Sequence, residues 1–228
     1  KIIFTSSVAI YGFAPANTDE NGTPNYFNEY GRTKYEAEQV FKSWQAEDFK
    51  NRTIVIIRPT VIFGEGNRGN VYNLLNQIAT RKFIMFGSGT NKKSMAYVEN
   101  VAAFIEESFL FEPGLHIFNY IDKPDFDMNH LVSEARKTIF GKRGVGFRLP
   151  SLVGILIGYF ADLVNRFYKK PLPVSSIRVK KFLATTQFSS SVSETGFKPP
   201  VTLEEGLIKT LRYEFLEDNS NKRTFKTE

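Results

Sequence analysis

The chain has 228 residues, 42% of them apolar, enough for one sizeable core or for a core with a small second domain. It has no cysteine and only two histidines, His116 and His130, which excludes disulfides and thiolate metal sites, argues against a zinc or iron centre, and suits a reducing cytoplasm. The net charge of +6 is uneven: Arg136 to Lys181 holds eleven Lys/Arg and one acid, Asp162, so this stretch carries +10 and the remainder −4. A solvated basic face accounts for any one of these residues, while the cluster as a whole points equally to an anionic partner; no nucleic-acid partner is expected.

In chain order, Lys1 to Phe4 reads as a strand. Because the apolar run is cut short by Thr5-Ser6-Ser7, it lacks the form of a signal peptide, and the expectation is a strand that begins upstream of Lys1. Val8 to Gly12 continues it toward a polar loop containing Pro15, Asn17, Asn21, Gly22 and Pro24. From Glu29 to Ala46 the residues Tyr30, Val40, Phe41 and Trp44 recur at helical spacing. Thr53 to Val61 is β-branched and apolar throughout, the pattern of a parallel strand buried on both faces. Val71 to Ala79 reads as a second helix, Phe83 to Phe86 as a short strand ahead of the turn Gly87-Ser88-Gly89, Tyr97 to Phe111 as an amphipathic helix, and His116 to Ile121 as a strand.

Alternating strands and helices predict an α/β fold with a parallel sheet. The pattern changes after residue 124: a helix over Met128 to Ile139, a basic and apolar segment, a helix over Leu203 to Phe215, and a polar tail from Glu217. Expected domains are therefore 1–124, a mainly substrate-binding, mostly helical region over 125–216, and the tail 217–228.

The chemistry-bearing constellation is Tyr30-Gly31-Arg32-Thr33-Lys34, which puts a phenol and an ammonium four residues apart on one helix face. A phenol, with an ordinary pKa near ~10, is a poor base at neutral pH, and a nearby cation favours its phenolate form. Tyr-x-x-x-Lys alone is weak, since chance supplies it in many helices. Here, however, Ser7 stands 23 residues earlier at a strand end, within Thr5-Ser6-Ser7-Val8-Ala9-Ile10-Tyr11-Gly12.

That sequence resembles the extended short-chain dehydrogenase/reductase family of nucleotide-sugar epimerases and dehydratases, in which a Ser-Ser strand end, a Tyr-Gly turn and a Tyr-x-x-x-Lys helix follow in this order. Arg58-Pro59-Thr60-Val61-Ile62-Phe63-Gly64 is similar to the next strand end of that family, and Tyr97-Val98-Glu99-Asn100-Val101-Ala102 to a later helix start. The resemblance implies a Rossmann-like doubly wound parallel sheet and an NAD or NADP cofactor. It assigns proton transfer to Tyr30, a hydrogen bond to the reacting oxygen to Ser7, and the nicotinamide ribose to Lys34, with Tyr30, Pro59 and Val61 also bordering the cofactor. Ser6 is expected to pack or cap, and Tyr11 to support the turn.

Gly64-Glu65-Gly66-Asn67-Arg68-Gly69 fits G-x-G-x-x-G, but no acid follows about 20 residues later, as a first βα turn requires for the ribose. The dinucleotide fingerprint is instead expected upstream, in about one hundred further residues, without which NAD binding should be poor. By resemblance, Asn70, at a helix start suited to phosphate, and Lys93 are expected to meet a nucleotide diphosphate. Lysine offers a point charge where many such enzymes carry a two-pronged arginine, and Lys92-Lys93 fits a solvated turn as well.

The implied function is 4-epimerisation or 4-keto reduction of a UDP-hexose or UDP-N-acetylhexosamine by a homodimer joined partly through the helix at Glu29 to Ala46. The alternatives are a hydroxysteroid-dehydrogenase-like reductase and a non-catalytic binding protein of the same fold. Dehydration is less expected, because Val8 rather than an acid follows Ser7. Leu149 to Tyr168 is apolar nearly all round, which predicts a helix buried in the protein. The flanking Lys142, Arg143, Arg148, Arg166, Lys169 and Lys170 raise peripheral contact with an anionic membrane as the competing expectation.

Overall fold

A computed structural model describes residues 1–165, 175–219, 221 and 224–225. β1 (Ile2–Thr5), β2 (Thr53–Pro59) and β6 (Gly114–Tyr120) form a parallel sheet in the order β1-β2-β6, with Ile2 opposite Ile54 and Ile54 opposite Leu115. Every residue of β2 is buried, as its uninterrupted apolar run dictates for a central parallel strand.

Successive β2 side chains point to opposite faces. Val55 and Ile57 pack with Val101 and Phe104 of α3 (Val98–Glu107), together with Phe118 and Tyr120 of β6. Arg58 points the other way, to Glu38 of α1 (Glu29–Glu47), and Phe4 of β1 meets Phe41 of α1 with ring centroids 4.9 Å apart. Helices on both faces of a parallel sheet are the doubly wound α/β arrangement.

The chain divides into two compact units, residues 1–67, 94–125 and 187–210 in one and residues 68–93, 126–186 and 211–228 in the other. The first holds the sheet above and the parallel pair of β3 (Val61–Phe63) with Met95–Tyr97 of β5 (Lys92–Tyr97); β7 (Asp122–Asp127) completes the sheet order β3-β5-β7. In the second, α2 (Asn70–Ala79) packs on α4 (Met128–Phe140), and β4 (Met85–Phe86) pairs with β8 (Arg148–Leu149). α5 (Ser151–Asn165) and α6 (Ser176–Leu183) follow, and α7 (Leu203–Phe215) closes the chain with Leu203, Leu207 and Leu211 buried.

Several boundaries differ from the sequence expectation. Val8 to Tyr11 is a 3-10 turn rather than continued strand, because the Ser7 hydroxyl accepts the Ala9 N–H (3.1 Å) and ends the extended run. Gly12 completes the turn at φ +61, where a side chain would also lie 1.9 Å from the Asn25 carbonyl oxygen. The strand expected over Thr53 to Val61 is split: β2 stops at Pro59, which has no N–H to donate, and Val61 begins a strand of another sheet. β5 and β7 were concealed by their charged composition, KKSMAY and DKPDFD.

The largest correction concerns α5. Most of its large apolar side chains, expected to be buried, are exposed, with Ile155 and Val164 half-buried; Gly154, Gly158 and Ala161 are the buried residues. The rest of that expected helix, Arg166 to Tyr168, lies outside the described residues, as do Lys169 and Lys170.

Candidate active site

α1 begins at an Asn28 cap, whose side-chain oxygen accepts the Gly31 N–H at 2.9 Å. The helix start lies hard against the 3-10 turn that follows Ser7. A methyl group at position 31 would sit 2.6 Å from the Ala9 carbonyl oxygen, so the glycine between Tyr30 and Lys34 is what permits this approach. The same packing fixes the first turn of α1 beside the strand end that carries Ser7.

Tyr30 is 54% exposed, so its phenol is open to a ligand. Lys34 is half-buried; its ammonium donates to the Thr5 carbonyl at 2.8 Å and lies 5.9 Å from the Tyr30 ring centroid and 5.2 Å from that of Phe4. The β1 end thus anchors the cation beside the phenol while leaving N–H groups for a ribose hydroxyl. The structure therefore brings Ser7, Tyr30 and Lys34 to one end of β1. Pro59 is buried at the end of β2 and Val61 is exposed at the start of β3.

Beneath this surface runs a polar network that sequence reasoning missed. Arg58 donates twice to Glu38, from Nε to Oε1 at 2.9 Å and from Nη2 to Oε2 at 2.6 Å. Ser6 donates its hydroxyl to Glu38 Oε1 at 2.6 Å, and Arg58 Nη1 donates to the Tyr11 hydroxyl at 2.6 Å. Tyr11 in turn donates to Asn119 Oδ1 at 2.9 Å, and Glu20 Oε1 accepts from the N–H groups of Asn119 and Ser191, both at 2.9 Å.

Burial pushes the Tyr11 phenol above its ordinary pKa against the pull of Arg58. Tyr11 therefore stays protonated and structural, as expected, and Ser6 packs as expected. The signal available in the sequence was Arg58 inside an otherwise apolar strand. A charge there demands a buried partner, and Glu38 lies on the α1 face that also carries Tyr30 and Lys34.

Asn70 and Lys93 belong to the second unit. Asn70 is exposed in the first turn of α2, whose Gly69 cap brings no side-chain acceptor, as suits a helix end able to receive an anion. Lys93 is not a solvated turn. Its ammonium donates to the Lys181 carbonyl at 2.8 Å and the Ala184 carbonyl at 2.5 Å, at the C-terminal end of α6. Burial pushes the ammonium down to about 8.

The sequence pattern of the NAD dependent epimerase/dehydratase family matches residues 1–107, the stretch that carries Ser7, Tyr30 and Lys34. The N-acetyl-α-D-glucosaminyl-diphospho-ditrans,octacis-undecaprenol 4-epimerase of Escherichia coli O157:H7 is 49% identical over 230 residues, covering 100% of this chain and 69% of the relative. A UDP-glucose 4-epimerase of Vibrio cholerae is 27% identical, covering 96% of this chain and 64% of the relative. Among solved structures, UDP-glucuronic acid 4-epimerase from Bacillus cereus in complex with NAD superposes with a TM-score of 0.66 at 20% identity, over 92% of this chain and 60% of that one. UDP-glucose 4-epimerase from Thermotoga maritima superposes at 0.65 and 20%, over 92% and 62%. These structures carry the fold, a Rossmann-type α/β sheet; the chain spans about two-thirds of the length of the two curated relatives. With the sequence pattern and a 49%-identical relative in agreement, the chain belongs to the NAD dependent epimerase/dehydratase family.

Proposed function

We propose that the protein epimerises, at C4, an N-acetylhexosamine or hexose joined through a diphosphate to its carrier, with Tyr30 as the proton carrier. The single observation behind this is the arrangement at the α1 start: an exposed phenol, a cation held beside it by Thr5, and Ser7 brought close by Gly31.

NAD, when bound, supplies a hydride acceptor and returns the hydride. The residues present suit it, since Lys34 retains N–H groups for a ribose hydroxyl after bonding Thr5. Tyr30 takes the proton from the C4 hydroxyl as the carbonyl forms, and Lys34 stabilises the phenolate. Ser7 donates to the oxygen at C4 and holds it as its charge changes. When the 4-keto sugar presents its other face, Tyr30 gives the proton back and the C4 configuration is inverted. We assign Asn70 and Lys93 to diphosphate contact, and α1, whose Val40 is exposed, to a homodimer interface by family likeness.

Identity favours a polyprenol over UDP as the carrier, 49% to the polyprenol-linked enzyme against 27% to the UDP-glucose enzyme. The test is incubation of the full-length protein with NAD and either N-acetylglucosaminyl-diphospho-polyprenol or UDP-N-acetylglucosamine, with the released sugar resolved by chromatography. Conversion of the polyprenol-linked sugar to its 4-epimer is expected. Conversion of UDP-N-acetylglucosamine alone would move the assignment to a UDP-sugar, and conversion of neither would refute it.

A further inference from the structure

α5 is built the wrong way round for a helix of a water-soluble protein. Its small residues face the protein: a methyl group on Gly154 would meet the Phe86 ring at 2.6 Å, and one on Gly158 would meet the Ser176 backbone at 2.7 Å. Leu152, Leu156, Tyr159, Phe160 and Leu163 face outward, each between 51% and 67% exposed. Contiguous exposed apolar surface of this kind marks a site that something covers. Its neighbours extend it, with Phe147 ahead of β8 and Ile177 on α6 both more than half exposed.

What surrounds the apolar face is basic. Arg178, Lys180 and Lys181 are exposed on α6, which packs on α5, and Lys142 and Arg143 are exposed in the segment ahead of α5, whereas Arg148 spends its guanidinium on the Ser88 carbonyl and Asn129 Oδ1. Lys180 reaches back along α5 to donate to the Tyr159 hydroxyl at 2.8 Å, which holds its positive charge at the margin of the apolar strip. The one acid between Arg136 and Lys181, Asp162, is turned away from this surface by accepting the Ser176 N–H at 3.1 Å. An apolar face rimmed by cations with the acid withdrawn complements an anionic lipid surface, where apolar side chains enter the acyl boundary and Lys/Arg meet headgroup phosphates. Among the described residues no helix is long and apolar enough to cross a membrane.

We propose that α5 lies in the plane of an anionic lipid bilayer, Leu156 and Phe160 buried in it and the cations of α6 against its headgroups. The surface binds lipid whether or not a substrate is present, so this stands independently of the reaction assigned above.

The test is sedimentation of the full-length protein with vesicles of phosphatidylcholine alone and of phosphatidylcholine with phosphatidylglycerol, at low and high salt, without substrate. Binding to the anionic vesicles at low salt is expected, weakened by salt. The double variant Leu156→Asp/Phe160→Asp should bind at least about tenfold more weakly, and Arg178→Glu/Lys181→Glu should lose most of the preference for anionic lipid, since each basic residue contributes about fivefold. Both substitutions lie on the surface, and unchanged circular dichroism would confirm that the fold persists. Failure of the wild-type protein to sediment with anionic vesicles, or equal sedimentation of Leu156→Asp/Phe160→Asp, would overturn the proposal. Light scattering without lipid addresses the other occupant: a dimer that Leu156→Asp/Phe160→Asp converts to monomer would mean that a second copy covers the face, and would likewise overturn it.

Discussion

At the scale of single residues, two tyrosines near the end of β1 have opposite fates. Tyr11 is buried with a raised pKa and is tied to Arg58 and Asn119, whereas Tyr30 is open. Of the two, only Tyr30 is placed to serve the proton transfer proposed above, and on that proposal Ser7→Ala should lower kcat by about tenfold to a hundredfold, the worth of one hydrogen bond to a group that gains charge. An unchanged kcat would remove Ser7 from the site. Arg58→Ala should be far more damaging to stability than to any single catalytic contact. It leaves the Glu38 carboxylate buried without its bidentate partner, for which about 3–5 kcal/mol is expected in denaturant unfolding. A loss below ~1 kcal/mol would mean that the pair is not formed.

One variant can separate the carbonyl contacts of Lys93 from the diphosphate contact proposed for it. Lys93→Met removes the cation that serves the Lys181 and Ala184 carbonyls, so amide exchange in α6 should accelerate. If the ammonium also meets the diphosphate, KM should rise more than kcat falls, because such a contact acts on ground and transition states alike. Faster exchange with unchanged KM would leave Lys93 as a helix cap alone. Ser7, Tyr30 and Lys34 were singled out by their spacing and context, and the structure brings them to one end of β1. Glu38 was not, because a lone acid in a polar helix looks like solvated surface until a buried arginine is found opposite it.

At the scale of elements, the first turn of α1 and the turn after Ser7 act as one joint. Gly31→Val should force the two apart, since its Cβ would lie 2.6 Å from the Ala9 oxygen, a backbone atom that cannot step aside cheaply. Loss of activity with at least about 1 kcal/mol of destabilisation is the expected outcome, overpacking commonly costing about 1–3 kcal/mol. An active, equally stable Gly31→Val variant would show that the joint is looser than described. Elements with strong periodicity, such as α1, α3 and α7, were readable in the sequence. β5 and β7 were not, because their side chains are charged and the ladder that orders them is made by backbone groups. α5 shows the opposite failure: its apolar run correctly predicted a helix, but composition could not tell that its glycines, packed against Phe86 and Ser176, would claim the inner face.

At the scale of the whole molecule, the parallel sheet with α1 and α3 on its two faces presents a strand end, a turn and a helix start together, which is where the proposed reaction is placed. The family follows from the sequence, while the carrier of the sugar depends on surfaces that no motif describes. The most direct measurement of the central claim compares full-length wild-type and Tyr30→Phe protein with NAD and N-acetylglucosaminyl-diphospho-polyprenol under saturating conditions. Turnover to the 4-epimer should fall about 10²–10⁴-fold in Tyr30→Phe, the range for a lost general acid–base group, with substrate and NAD affinity little changed. Turnover within tenfold of wild type would contradict the assignment of the proton to Tyr30.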